Sequence, residues 1–251
     1  TRLYDPGEYD EEILWFTDKP IKNLKDIQVN KLPRSSSSFY NSGLFTLRHN
    51  EGFLMVILRD IKTRPGHLDQ LHIDIWHKNL NILCDAGSYS YASDLGRSLS
   101  LTGAHNTIQV DRKEQMNKKD PFFVYDWSRS KEIQNTDNTF IGTMISKNGY
   151  KHTRSIKLID NKYKIEDEVR GKGSICYLRL HTPCQVNKVK EYIELTNKKE
   201  TVAVIESDGE VELKKSYRSL YYLKKEEITE IVISKKMIQS ECNFTTYIHL
   251  K

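Results

Sequence analysis

The sequence predicts an all-β protein: a large antiparallel β-sandwich (a supersandwich) behind a short N-terminal helical or linker segment. Three observations predict it. Short apolar runs recur from Phe39 onward at about 8–12-residue spacing, separated by Gly, Asn and Asp turn signals. Fourteen tyrosines, with frequent Ile, Val and Thr, favour sheet over helix. The strand-like runs do not alternate with the long helical patterns that parallel βαβ units require. With 251 residues, 37% hydrophobic and 29% charged, the chain can bury a full-sized core. No apolar run approaches the roughly 18 residues of a membrane span.

Residues 1–38 read differently from the rest. Asp5-Pro6-Gly7-Glu8 offers a helix start, with Asp as N-cap, Pro at the first helical position and Glu three after the cap. EEILWF then carries one short helix, and the stretch ending in Ser35–Ser38 reads as linker. A chain that begins at Thr1 without Met is expected to be a fragment or a processed product, with residues 1–38 as a tail or a peripheral wrap. The sandwich domain is expected over residues 39–251.

Within it, Asn41-Ser42-Gly43 is a turn before LFTLRH, and Asn50-Glu51-Gly52 a turn before FLMVILRD, which is apolar on both faces. LHIDIW alternates, Leu71, Ile73 and Ile75 against His72, Asp74 and Trp76. HKNLN connects it as a hairpin to ILCDAG. FFVYDWSRS, NTFIGTMISK, HTRSIKLID, YKIEDEV, SICYLRLHT, YIELT, TVAVIES, VELKKSYR, EIVIS and FTTYIHL read as further strands.

The net charge of +5 points weakly to an acidic partner. Its densest stretch, KKSYRSLYYLKK (Lys214–Lys225), reads as a solvated strand pair with edge lysines. A nucleic-acid-binding sandwich lacks any supporting motif. Four cysteines without CxxC spacing are too sparse for a disulfide framework. Cys84 reads as a small buried hydrophobe, and Cys176 and Cys184 as residues that can face each other across a bend. The Asn243 sequon is uninformative alone.

Chemistry-bearing residues concentrate in Arg64–Asp111, at the edges of predicted strands. His67, Asp85 and His105 precede one strand, end the next and open a third, so adjacent antiparallel strands can bring them together. Two imidazoles and a carboxylate suit a tetrahedral Zn²⁺ whose fourth position is water or substrate. The competing reading is three separately satisfied residues, with Asp85 capping a turn. His181 reads as a strand-end histidine, while His152 and Arg154 are candidates for an anionic-glycan surface. Nothing beside His49, His77 or His249 suggests chemistry. Serine-hydrolase elbows and phosphate-cradling glycine loops are missing.

The order GHLDQLHIDIW, then DAGSYSY, then AHNTIQVD with nearby Gln115, resembles the C-terminal β-sandwich of the heparinase II/III-like polysaccharide lyases. The resemblance is densest over residues 64–127 and extends loosely over 39–251. It implies a structural zinc at His67, Asp85 and His105, with Asp69 and Asn106 fixing the imidazoles or the loop. Such enzymes cleave uronate-containing glycans by β-elimination, which needs donors to neutralise the carboxylate and an acid–base pair, often Tyr and His. Much of that machinery comes from an N-terminal α/α-toroid, for which residues 1–38 are far too short.

On this resemblance the sandwich contributes a cleft wall. Tyr89, Tyr91 and His72 are its catalytic candidates, and Arg64 and Arg97 its carboxylate-binding candidates. A catalytic His that some relatives carry two residues before the zinc His is Pro65 here. The expected function is therefore the C-terminal part of a lyase acting on an acidic polysaccharide, inactive without its toroid. The alternative is a non-enzymatic, zinc-stabilised carbohydrate-binding or structural module of exopolysaccharide processing. The resemblance also implies a periplasmic or extracellular location.

Overall fold

The computed structural model describes residues 10, 15–16, 27–30 and 34–251. The chain divides into two units, residues 1–35 and 36–251. In the first, Asp10, Trp15 and Phe16 are helical, in the stretch expected to carry a short helix. The Asp5-Pro6-Gly7-Glu8 cap and most of the linker lie outside the described residues. The second unit begins slightly before Phe39, because the end of the serine run is strand: Ser37 and Ser38 of β1 (Ser37–Phe39) pair with Thr46 and Phe45.

That unit is antiparallel throughout its named strands. One sheet has the order β1-β2-β3-β4-β5, with β2 Leu44–His49, β3 Gly52–Ile57, β4 His72–His77 and β5 Leu80–Leu83. Lys78 and Asn79 join β4 to β5 with φ of 48° and 61°, the left-handed pair of a tight hairpin turn. A second sheet of four strands runs β17-β18-β13-β6, where β6 is Ile108–Val110, β13 Ile175–Thr182, β17 Glu210–Tyr221 and β18 Lys224–Lys236. The basic stretch Lys214–Lys225 forms the β17–β18 hairpin at this sheet's edge, as the sequence predicts. The two sheets are stitched where Cys84 N donates to His181 O (2.9 Å) and Thr182 Oγ1 to Ile82 O (2.7 Å).

Opposite them lies an eight-stranded sheet ordered β14-β15-β16-β19-β12-β11-β10-β9. Its strands are β9 Arg129–Asn135, β10 Thr139–Ile145, β11 Tyr150–Ile159, β12 Lys162–Gly171, β14 Gln185–Val189, β15 Tyr192–Asn197, β16 Glu200–Ser207 and β19 Glu241–Leu250. Alternation does the sorting: on β19, Cys242, Phe244, Ile248 and Leu250 point into the core while Glu241, Asn243 and Thr245 do not. One apolar cluster joins all three sheets, with Phe45, Ile73, Leu180, Ile231, Phe140, Ile165 and Phe244 among its members. Each such side chain contributes about 1.5–3 kcal/mol on burial.

Two expectations need correction here. FFVYDWSRS is two elements: β8 (Phe123–Tyr125), which pairs with β7 (Asn117–Asp120) in a separate ribbon, and then β9. Asp126 breaks the run with φ 54°. Cys176 does not face Cys184; its thiol contacts Cys242 of the opposite sheet, and all four cysteines are free and buried. Between β5 and β6 the chain adds helix α1 (Asp94–Leu99), N-capped by Ser93 Oγ accepting from Gly96 N, and a 3-10 turn at Thr102–Ala104. Among the described residues no helix is long and apolar enough to cross a membrane.

Candidate metal centre

The loops around β4, β5 and β6 converge by backbone design. Before β4, Gln115 reads Gln70 twice: its Oε1 accepts from Gln70 N (2.9 Å) and its Nε2 donates to Gln70 O (2.8 Å). Leu71 then turns with φ 59°, its N–H on Ile57 O. After β5, Asp85 Oδ1 accepts from Gly87 N at 2.6 Å, the turn-capping contact expected of an aspartate here. Gly87 has φ 70°, and a Cβ there would stand 2.0 Å from Ser219 O, so only glycine fits. His105 closes the 3-10 turn with its N–H on Thr102 O.

These turns bring His67, Asp85 and His105 together, with one donor atom of each within 4.8 Å of the others. His105 Nδ1 is 3.0 Å from Asp85 Oδ2, and the His67 and His105 ring centroids are 5.2 Å apart. His67 Nε2 lies 3.2 Å from Ser88 Oγ. Burial favours a neutral His67, and the neighbouring His105 adds to that. Burial pushes the Asp85 carboxyl up, but His105, His72 and the Gly87 N–H outweigh it and hold it well below the usual carboxylate range. Burial works against charge on His105 too, yet Asp85 raises it.

Donor chemistry and spacing fit an ion. Bonds of about 2.0–2.1 Å at a tetrahedral angle leave two ligand atoms roughly 3.3 Å apart, close to the Asp85–His105 separation. His105 has either nitrogen to offer: Nδ1 faces Asp85, and among the described residues the buried Nε2 has no hydrogen-bond partner. His72 completes the picture in a different role. Its Nδ1 accepts from Asn106 N (2.9 Å), so in the neutral ring Nε2 carries the proton and has no lone pair to give. That Nε2 is buried and, among the described residues, otherwise unpartnered, 3.8 Å from Asp85 Oδ2. Burial lowers its pKa to about 4. His72 is thus built to steady the carboxylate from behind.

Asn106 binds the strand ends together. Its Nδ2 donates to Ile73 O (2.8 Å) and Cys84 O (3.1 Å), and its Oδ1 accepts from His181 N (2.6 Å), joining β4, β5 and β13. Behind it stands Arg154, fully buried on β11. Its Nη1 donates to Leu71 O (2.5 Å) and Asn106 O (2.8 Å), the carbonyls next to two site histidines. Asp167, also fully buried, receives Arg154 Nε (2.6 Å) and Nη2 (3.1 Å) and sits 2.6 Å from His152 Nε2. His152 and Arg154 are therefore core groups, not an anionic-glycan surface. His181 is also buried rather than lining a cleft.

His67 and Asp85 open on a groove of ≈ 710 Å³ that Arg59, Lys62 and Arg64 also line, with His72 buried behind them. Asp69, expected to fix an imidazole, instead accepts from Arg59 Nη1 with both carboxylate oxygens, at 2.7 and 2.9 Å. Tyr89, Tyr91 and Arg97 do not line this groove. Tyr89 holds Leu223 N on its carbonyl oxygen, Tyr91 packs near Phe122, and Arg97 is exposed on α1. His77 Nε2 lies 2.9 Å from Lys251 O, and His249 pairs with Glu206. Arg154 was missed as a site element because a strand arginine among lysines looks solvated. The alternating burial of β11 is the signal that points it inward.

Comparison with known proteins identifies the fold and the family. No curated protein matches the chain. Among solved structures, a heparinase III gene product aligns with TM-score 0.74 and 22% identity, over 95% of this chain and 39% of its own. Heparan sulfate lyase HepC from Pedobacter heparinus aligns with TM-score 0.71 and 17% identity, over 96% of this chain and 40% of that one. At these identities the likeness shows the fold, and the chain spans about two fifths of those structures. The family described as heparinase II/III-like, C-terminal, matches residues 31–247. With that match covering most of its length, the chain belongs to the heparinase II/III-like C-terminal domain family and is a module related to polysaccharide lyases.

Proposed function

We propose that this chain is the C-terminal sandwich of a polysaccharide lyase acting on uronate-containing acidic glycans, and that His67, Asp85 and His105 hold a structural zinc. The observation that carries the reading is the convergence of those three donors beside a groove lined by Arg59, Lys62 and Arg64. A bound zinc would neutralise Asp85 and fasten the loops before β4, after β5 and before β6 to one another. Asn106 and His72 would orient the ligands, as partners behind metal ligands commonly do.

β-Elimination begins by removing a proton beside a carboxylate, so charge building on that carboxylate must be met by cations or donors. Lys62 and Arg64, both exposed at the groove, are placed to supply them. The proton-transfer pair is not furnished there: His72 is locked by Asn106, and neither Tyr89 nor Tyr91 faces the groove. Catalysis then requires residues from a partner domain, an α/α-toroid on the family resemblance, and the 251-residue chain alone has little or no lyase activity. A periplasmic or extracellular setting follows for an enzyme of polymeric glycans.

The same missing groups support a second reading, a non-enzymatic zinc-stabilised carbohydrate-binding module. Elemental analysis of the purified chain beside His67→Ala tests the metal, with about one zinc per chain expected and lost in the variant. Ultraviolet absorbance of unsaturated uronate tests the chemistry. Robust product release by the isolated chain would overturn the division of labour, and absence of metal from both proteins would remove the zinc.

A further inference from the structure

We infer that the β7–β8 ribbon and Tyr91 form a stacking subsite for an anionic sugar ring, continuing the groove beyond Arg64; the inference rests on the acidic-glycan reading above. Four aromatic side chains stand exposed here: Tyr91 (65%), Phe122 (60%), Phe123 (51%) and Tyr125 (43%). They are paired rather than scattered. Tyr91 and Phe122 have ring centroids 5.8 Å apart at 44°, and Phe123 stacks on Tyr125 at 5.4 Å and 25°. Exposed apolar surface of this kind, three rings on one ribbon and a fourth packed near it, marks an interaction site.

Arg64 identifies the occupant. Its guanidinium lies 5.0 Å from the Phe122 ring centroid, and Nη1 donates to Pro121 O at 3.3 Å. The same residue lines the metal-side groove. Among the described residues Arg64 has no carboxylate partner, so its charge is available to an incoming anion. The ribbon is held in register with the groove by Lys118, whose Nζ donates to Gly66 O (2.8 Å) and Ser100 Oγ (2.7 Å). A pyranose presents an apolar C–H face and a rim of polar groups. A ring face beside a guanidinium whose charge no carboxylate answers suits such a sugar when it carries a carboxylate or sulfate. It suits a neutral sugar less well.

The test titrates the 251-residue chain calorimetrically with a uronic-acid oligosaccharide and, separately, with a neutral glucan oligosaccharide of equal length. Phe122→Ala and Tyr91→Ala are expected to weaken uronate binding roughly tenfold each, the scale of losing one aromatic stacking partner. Tyr91→Phe is expected to keep it, because the ring and not the hydroxyl does the binding. Arg64→Gln should weaken it and flatten its salt dependence. Circular dichroism and metal content, unchanged in all four variants, show that the fold and the metal centre survive.

If the wild-type chain binds the uronate but Phe122→Ala and Tyr91→Ala bind it equally well, the subsite is overturned while the acidic-glycan reading stands. Wild-type preference for the neutral oligosaccharide, or no binding of either, overturns both. Loss of binding in Tyr91→Phe as well as Tyr91→Ala overturns the stacking role and assigns the hydroxyl instead.

Discussion

Asp167 and Asp85 are two aspartates beside histidines, and they are neutralised in opposite ways. Asp167 is sealed in the core with a guanidinium on one side and His152 on the other. Asp85 is paired only with imidazoles, His105 at 3.0 Å and His72 at 3.8 Å, and opens on a groove. A guanidinium is a permanent charge with no lone pair, so the Asp167 cluster is complete as built. A neutral imidazole has a lone pair to offer, as His67 and His105 can beside Asp85, so this cluster has capacity left for a cation. The closed cluster holds the open one in shape, since Arg154 also grips the Leu71 and Asn106 carbonyls.

The largest break in this comparison comes from Arg154→Met. It strands the Asp167 charge and frees both carbonyls, and is expected to cost about 3–5 kcal/mol in urea unfolding, enough to unfold a marginal domain. A loss near zero would mean that the closed cluster does not brace the site. His105→Ala attacks the open cluster instead. Zinc should be lost, and the variant's thermal midpoint should match that of chelator-treated wild type. Full metal content in this variant would take His105 out of the ligand set.

A smaller effect is expected for His72→Phe, which keeps the ring but removes the Nε2–H facing Asp85. Zinc should still bind, about 10–100-fold more weakly in chelator competition. Complete loss would make His72 a ligand and contradict the tautomer set by Asn106. The mildest probe is acid. Arg154 and His152 outweigh the burial of Asp167 and lower its pKa to about 2, below the ordinary 3.8. Its contribution is therefore present above about pH 4 and lost as pH falls toward 2, a change on the order of 2 kcal/mol. The stability gap between wild type and Asp167→Asn should narrow over that interval. A constant gap would show that the charge on Asp167 is irrelevant.

Much of this was legible in the sequence. LFTLRH is β2 residue for residue, because alternation and flanking glycines mark both ends. The three ligand candidates were readable because each borders an apolar run, where sheet pairing gathers strand ends. The strand that supplies His72 shows the limit. Its alternation predicts one polar, half-exposed face, yet both His72 and Asp74 are buried, His72 under the Asn106 turn and Asp74 against Asn81 and the Asp85 N–H. Such a lid is tertiary and leaves no periodic trace. The same reasoning applies to Arg154 and Asp69, whose partners lie on other strands or loops. Helix α1 had a local sign, Ser93 followed by Asp94, but at six residues it is too short for periodicity to show.

The close approach of Gly87 to Ser219 has a consequence for the order in which the molecule is made. The turn that carries Asp85 is braced by Ser219 N donating to Ala86 O at 2.8 Å, and by Leu223 N on Tyr89 O at 3.0 Å. His181, on β13, supplies the N–H that seats Asn106. A ribosome delivers His67, Asp85 and His105 long before it delivers these braces. A nascent chain therefore displays all three candidate ligands without the scaffold that spaces them, so the proposed metal would be captured by the finished sandwich rather than seed its folding.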